Sequence, residues 1–379
     1  MMRAEGHEVA SWVTEMLAKG ETTFYSVKEG ATHYYDIPAK AHLKKPGQDS
    51  FIILDNIRKS NEVWKNSGAV IEDLGDGIIN LEFQSKMNTI GGDVLAAVNK
   101  AIDLAEKDFQ GLIVGNQAAN FSVGANIGMI FMMAAEQEYD ELNMGIKYFQ
   151  DSMMRMRYSS IPTISAPHGM ALGGGCELLL HCNKVVASMN SYIGLVEVGI
   201  GALPAGCGSK EMTLRAYTNK ETDDIFPLLS KYFEQIAMAK VSASALEAKE
   251  MGYLKADDVI IANPNELLYV AKQQALALLD SGFKSPLDST FKVVGKAGYA
   301  NIMAQVANLH EGHFISEHDN YIVTHLAKVM TGSKVEENTT VNSQMILDLE
   351  RKYFIKLLST KKTQDRIEYM LRNSKPLRN

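Results

Sequence analysis

Two carboxylates, each in a glycine-rich and otherwise apolar stretch, are the side chains most able to do chemistry in this sequence. Glu177 stands in Pro167-His168-Gly169-Met170-Ala171-Leu172-Gly173-Gly174-Gly175-Cys176-Glu177-Leu178. An apolar strand pattern from Ile161 to Ala166 ends at Pro167, and an apolar helix opens at Cys176-Glu177-Leu178-Leu179-Leu180. The three glycines between them let the backbone turn and approach a ligand closely. The N–H groups at a helix start lack partners and carry the positive end of the dipole, so a negative charge developing there would be stabilised. A tight strand-to-helix connection would account for the glycines equally well. Glu197 is an isolated charge in Gly194-Leu195-Val196-Glu197-Val198-Gly199-Ile200-Gly201-Ala202-Leu203-Pro204. Burial there would favour its protonated form, which suits an acid that must hold a proton near neutrality. The alternative is an exposed loop charge. A further glycine turn, Asn120-Phe121-Ser122-Val123-Gly124-Ala125-Asn126, precedes both.

The elements that must position these residues follow from periodicity. Between about Gly68 and Leu279, short β-rich runs (Ala69–Glu72, Ile78–Phe83, Gly111–Val114, Ile161–Ala166, Val185–Ser188) alternate with helical runs such as Val94–Ala105 and Met144–Met156. That alternation predicts a layered α/β domain over 68–279. Before it, Val9, Trp12, Val13, Met16 and Leu17 repeat at helical spacing. A hairpin is expected from FYSV and THYYD, followed by a polar stretch, AKAHLKKPGQDS. Residues 1–67 are too few for a large core and read as a fragment or appendage. Residues 280–379 carry almost no strand signal. Helices are expected at Ile322–Met330 and Ile346–Leu358, with Asn342 or Ser343 as cap for the second.

Composition removes other classes. A net charge of −7 argues against a nucleic-acid partner, while a local group of cations could still meet an anionic substrate. The glycine segments match neither the G-x-G-x-x-G dinucleotide spacing nor a Walker A loop. Three cysteines, Cys176, Cys182 and Cys207, fit a reducing compartment and packing roles. No apolar run is long enough to span a bilayer and the first residues do not resemble a signal peptide, so a cytoplasmic protein is expected. His310, His313, His318 and His325 crowd together with Glu311 and Glu317, but their spacing fits no metal motif. They read as a polar helical surface, and no metal is expected. His168 is expected to orient its loop. The Met-rich stretches Met129–Met133 and Met153–Met156 fit either a helix core or the lining of an acyl tunnel.

Ala171-Leu-Gly-Gly-Gly-Cys-Glu-Leu178, the Gly124-Ala125-Asn126 turn, and the Glu197 stretch with Pro204, Gly206 and Gly208 resemble, in order and separation, the crotonase (enoyl-CoA hydratase) family. The resemblance covers about Gly68 to Leu279. It implies a spiral of ββα units, here with a helical C-terminal extension, assembling as trimers or paired trimers. It implies an acyl-CoA thioester substrate, with coenzyme A present only as part of that substrate and no permanently bound cofactor. The backbone N–H groups of Ala125 and Gly174 would form the oxyanion hole, Glu177 would activate water as general base, and Glu197 would protonate C2 as general acid. Lys86, before Met87-Asn88, falls in the segment similar to the family's early CoA-contacting loop; an ordinary surface lysine is the other reading. The implied reaction is hydration of 2-enoyl-CoA in fatty-acid β-oxidation. An isomerase of the same fold, which often needs only the second glutamate, and a non-catalytic acyl-CoA-binding module are the alternatives. Asn126 stands where the family commonly has Asp, Val196 replaces a frequent proline, and Tyr217 to Gln235 is longer than in short hydratases. The ending, with Lys362-Thr363-Gln364 and Lys375-Pro376-Leu377-Arg378-Asn379, resembles fused bacterial proteins in which a 3-hydroxyacyl-CoA dehydrogenase precedes the hydratase. Residues 1 to about 60 resemble the tail of that dehydrogenase, whose nucleotide-binding half has no counterpart here, so Met1 is expected to be an internal or truncated start.

Overall fold

A computed structural model describes residues 5–219, 224–288 and 290–379. Residues 220–223, within the long Tyr217 to Gln235 stretch, lie outside the described residues. A seven-stranded sheet runs, in spatial order, Val259–Ile261, Lys184–Ser188, Thr163–Ser165, Gly111–Val114, Ile78–Phe83, Ala69–Asp73 and Glu62–Lys65. The last three strands pair antiparallel, and pairing from Ile78–Phe83 to Val259–Ile261 is parallel.

The sheet is buried on both faces, and its side chains alternate between two cores as the two-residue period of a strand requires. Ile79, Leu81, Leu112 and Val114 face a core built with helix Gly92–Asp108. Ile78, Ile113, Ile164 and Val186 face a second core with Leu267, Leu268, Ala271 and Ala275 of helix Leu267–Asp280. Burying one such aliphatic side chain contributes about 1.5–3 kcal/mol. The continuous apolar runs of these strands therefore set the layering.

A smaller layer positions the chemistry. Strand Gly169–Leu172 pairs in parallel with Ser191–Gly194, and Ser122 bridges to Ala171 on the other side. Both Glu177 and Glu197 follow shortly after strands of this layer. Two further helices close over it from the C-terminal region. Helix Ser343–Leu358, capped by Asn342 accepting from Met345 N–H, packs on Tyr139–Arg157 and Gly208–Tyr217. Helix Lys361–Asn373 packs on Ile127–Ala135 and the 3₁₀ turn Glu197–Ile200. It is pinned where Thr363 Oγ donates to Gly201 C=O (2.7 Å) and where buried Arg366 pairs with Asp319 (2.8 Å).

Three expectations need correction. The polar stretch after the first hairpin supplies a third strand, Ala41–Lys44, whose partner Ala31–Asp36 offered a free edge to pair. The C-terminal region also contains a strand pair, Phe291–Val293 with Thr339–Val341, in sequence read as carrying almost no strand signal. His318 and His325 are buried rather than part of a polar surface. They share one face of helix Glu317–Met330 with Ile322, Leu326 and Val329, and stack with Tyr321 and Tyr353. Burial, with Lys328 and Lys356 nearby, pushes His325 down to about 4, so the ring is neutral. No helix among the described residues is long and apolar enough to cross a membrane.

Candidate active site

Two main-chain segments meet where the sheet layers converge. Gly173, between strand Gly169–Leu172 and helix Gly174–His181, has φ +53° and donates its N–H to Gly194 C=O (2.9 Å). Gly124 has φ +93°, and a Cβ there would stand 2.7 Å from Leu172 O and 2.9 Å from Gly174 N. Only glycine permits this approach, because both the left-handed backbone and the contact distance exclude a side chain.

The approach brings two amides together. Ile90 N–H donates to Gly124 C=O (2.8 Å) and Asn126 N–H donates to Ile90 C=O (3.3 Å). The intervening Ala125 N–H therefore points to the opposite side of this extended stretch, toward the cavity that Ala125 lines. Gly174 begins its helix, so its N–H has no partner within that helix. A Cβ on Gly174 would lie 3.3 Å from Ala125 N. The two donors suit a single oxygen that gains negative charge. Asn126 caps helix Ile127–Ala135 by accepting from Met129 N–H (3.2 Å), a task its amide oxygen performs without charge.

The cavity holds about 420 Å³ and is walled mostly by apolar residues, many of them from four helices. Met129, Ile130 and Met133 come from one helix, and Ile146 and Phe149 from the next. Phe354 and Met370 reach in from the two C-terminal helices. Of the Met-rich stretches, Met129 and Met133 line the cavity, whereas Met153 and Met156 are core. Both expected carboxylates face this space.

Glu177 lies one turn into its helix and is buried. Its Oε1 accepts from Gly208 N–H at 2.8 Å, and burial pushes its carboxyl up to about 7. Glu197 opens the 3₁₀ turn Glu197–Ile200 on the cavity wall, not on an exposed loop. The residue keeps some exposure, yet its Oε2 is buried without a hydrogen-bond partner among the described residues. Burial, then the nearby Glu177, holds Glu197 well above the usual carboxylate range. Both groups are thus held above the usual carboxylate range, so each can hold a proton near neutrality.

Lys86 is exposed on the turn Lys86–Asn88 and does not line the cavity, though the turn leads directly to Ile90, which does. His168 Nε2–H donates to Ala118 C=O (2.7 Å), tying its loop to the one before Phe121, away from the cavity lining. A third carboxylate, Glu350, escaped sequence reasoning. It is fully buried and accepts from Cys207 N–H (3.1 Å), Lys210 N–H (2.5 Å) and Gln150 Nε2 (3.2 Å). Burial and the neighbouring Glu177 push Glu350 up. The available signal was a charge at the centre of the apolar face Ile346, Leu347, Tyr353, Phe354, Leu357, where an unpartnered charge would not be tolerated.

Comparison with known proteins places this geometry. Residues 73–254 match the family model described as enoyl-CoA hydratase/isomerase. A probable 3-hydroxyacyl-CoA dehydrogenase of Bacillus subtilis (strain 168) is 41% identical over 375 residues, spanning 99% of this chain and 47% of that protein. A putative fatty acid oxidation complex trifunctional enzyme of Rickettsia felis is 33% identical over 166 residues, 44% of this chain and 23% of that protein. The chain therefore spans about half the length of the first relative and less of the second. Among solved structures, enoyl-CoA hydratase from Bacillus halodurans superposes with a TM-score of 0.54, covering 80% of this chain and 99% of that one at 15% identity. An enoyl-CoA hydratase from Mycobacterium avium subsp. paratuberculosis gives 0.52, covering 83% and 100% at 17% identity. At such identities the likeness establishes the fold, a crotonase-type α/β architecture with a helical C-terminal region.

Proposed function

Residues 73–254 form a domain of the enoyl-CoA hydratase/isomerase family, and from that premise we propose that the chain adds water across the double bond of 2-enoyl-CoA thioesters, giving 3-hydroxyacyl-CoA. The observation that carries the proposal is the convergence of two carboxylates, Glu177 and Glu197, on one apolar cavity beside the Ala125 and Gly174 amides. Isomerases of the family often work with only one such glutamate, so the pair favours hydration.

The chemistry balances with these groups. The thioester oxygen accepts from Ala125 and Gly174 N–H, which stabilise the enolate-like charge that builds as water attacks C3. Ionised Glu177 takes one proton from the attacking water, whose oxygen bonds to C3. Protonated Glu197 delivers a proton to C2. The acid then reprotonates from solvent as the base releases its proton. Apolar walls keep other water out and accept the acyl chain. Lys86, exposed on the turn before Ile90, would meet a CoA phosphate, and Lys86→Glu should raise KM more than it lowers kcat. The names of the Bacillus and Rickettsia relatives support a place in fatty-acid oxidation. Assembly as a trimer or paired trimers belongs to the same proposal and is read by light scattering.

The test is the loss of ultraviolet absorbance of crotonyl-CoA and of a longer 2-enoyl-CoA, with Glu177→Gln and Glu197→Gln in parallel. Hydration that falls by about 10²-fold or more in each variant supports the two-carboxylate reading. Binding of the thioester without hydration by the unaltered chain would sink it.

A further inference from the structure

We propose that Glu350 is a positioning residue that sets the aim of Glu177 through a helix start that both carboxylates hold. The proposal rests on the hydratase reading and deepens it.

The helix Gly208–Tyr217 begins in a short turn made of Gly206, Cys207 and Gly208. Glu177 rests on both ends of that turn. Its Oε1 accepts from Gly208 N–H at 2.8 Å, and a Cβ added to Gly206 would lie 2.4 Å from its Oε2. Between them, Cys207 holds φ +83°, a left-handed backbone that a side chain adopts only when its surroundings impose it. Glu350 supplies the imposition. It accepts the Cys207 N–H on Oε2 and the Lys210 N–H on Oε1, bridging the turn to the first turn of the helix. Gln150 completes the brace, donating to Glu350, Ala205 C=O and Leu347 C=O while its own oxygen accepts from Arg351. Ala205 and Gly206 line the cavity. The surface on which Glu177 rests is thus fixed by a side chain from the C-terminal helix, over 170 positions away in the chain.

The charged surroundings make this brace electrostatic as well as steric. Lys210 could have neutralised Glu350, but its ammonium is turned to His181 Nε2 (2.8 Å) and Glu211 (3.2 Å). Arg351 is engaged by Gln150, Asn143 and Asp348. From the other packed helices, His325 meets Tyr321 and Tyr353, and Arg366 is held by Asp319. Among the described residues no cation forms an ion pair with Glu350; Glu177 raises and Lys210 lowers its proton affinity, and Glu350 in turn raises Glu197 and Cys207. Two carboxyls on one helix start lose their protons in two separated steps, because charge on either raises the proton affinity of the other.

The experiment compares Glu350→Gln and Glu350→Asp in the full chain, following kcat and KM for crotonyl-CoA against pH. In parallel the carboxyl infrared bands of Glu177 and Glu350, each assigned by its loss in the corresponding Gln variant, are titrated. Glu350, held at about 8, still carries its proton when Glu177 ionises at about 7, so in Glu350→Gln the Glu177 band and the acidic limb of kcat should stay in place. What should change is kcat itself, falling about tenfold or more with KM little changed, because the brace that aims Glu177 is weakened. Glu350→Asp keeps the charge but shortens its reach to the two N–H groups, and kcat should fall likewise. An unchanged kcat in both variants, in folded protein, would overturn the assignment. Should those variants fail to fold, the reciprocal measurement decides: in Glu177→Gln the Glu350 band must move down, and an unmoved band overturns the coupling. A moved Glu350 band in a chain that does not hydrate crotonyl-CoA would sink the hydratase reading and leave the Glu350 assignment standing.

Discussion

Glu177 and Glu350 take hydrogen bonds from the same helix start, Glu177 from Gly208 N–H at 2.8 Å and Glu350 from Cys207 N–H at 3.1 Å and Lys210 N–H at 2.5 Å. One carboxylate faces the cavity and the other lies on the buried face of a C-terminal helix, so the cavity wall and the C-terminal region meet at a single turn of backbone. The arrangement ties the carboxylate proposed as base to packing far away in sequence.

The pH dependence of the proposed hydration follows from the roles proposed for the two carboxyls. Glu177 must be ionised to accept a proton, and burial holds it at about 7. The rate should therefore rise as pH increases through about 7. Glu197 must be protonated, and it is held well above the usual carboxylate range, so the descending limb belongs to its ionisation at higher pH. A kcat profile from pH 5 to 10 checks this. A rate that already stands at its plateau at pH 5 would contradict the assignment of Glu177 as base.

Gly206→Ala should separate folding from catalysis. The added methyl would stand 2.4 Å from Glu177 Oε2 and 2.5 Å from Phe149. Both obstacles are the far ends of side chains, so the backbone can stay while the carboxylate is pushed aside. Displacements of this size cost on the order of 10²-fold in rate when the displaced group does the chemistry. The expected result is a folded protein by circular dichroism, binding of acyl-CoA by calorimetry, and a kcat lower by about that factor.

Acyl-chain selectivity should respond to the C-terminal helices. Phe354 and Met370 wall the cavity together with Met129 and Met133. Met370→Trp adds bulk to that wall without touching Glu177 or Glu197. The ratio of kcat/KM for a long 2-enoyl-CoA to that for crotonyl-CoA should fall about tenfold or more, because overfilling an apolar pocket penalises the larger substrate selectively. Equal losses on both substrates would indicate that Met370 lies outside the acyl path.

The site was largely legible in the sequence because its parts are local. Glycines at 124 and 173 are demanded by positive φ and close main-chain approach, and the two glutamates sit in short, distinctive surroundings. The strands of the main sheet were equally legible, since strands buried on both faces are continuous apolar runs. What was not legible depends on contacts far apart in sequence. Glu350, Phe354 and Met370 join the site only through the packing of the last two long helices, and nothing local marks their destination. The burial of His318 and His325 was missed because histidine is neutral when desolvated, and a helix face containing it reads as polar. The strand Ala41–Lys44 was missed because edge strands of a small sheet carry polar side chains on both faces.

The last prediction concerns stability and lies away from the cavity. Glu72 is fully buried in the sheet, with Asn80 Nδ2 at 3.2 Å; Arg58, its nearest cation at 3.9 Å, is already paired with Glu82 at 2.7 Å. Glu72 Oε1 and Asn80 Oδ1 are both buried without partners among the described residues. Burial first, then the Glu82 charge, pushes Glu72 up to about 8. An exposed glutamate in the unfolded chain titrates near 4.3. Across that window the folded state binds the extra proton, so the derivative of unfolding free energy with pH is negative and stability falls as pH rises from about 4.3 toward 8. Glu72→Gln removes the ionisable group and supplies an amide donor suited to the unpaired Asn80 Oδ1. Its melting temperature should exceed that of the unaltered chain at pH 8.5 and lie close to it at pH 5, by differential scanning calorimetry. One recovered hydrogen bond contributes about 0.5–1.5 kcal/mol, and the avoided cost of a buried charge adds to it at the higher pH. A variant that melts lower at pH 8.5 would show that Glu72 is held as an anion by Arg58 and that the sheet depends on the charge.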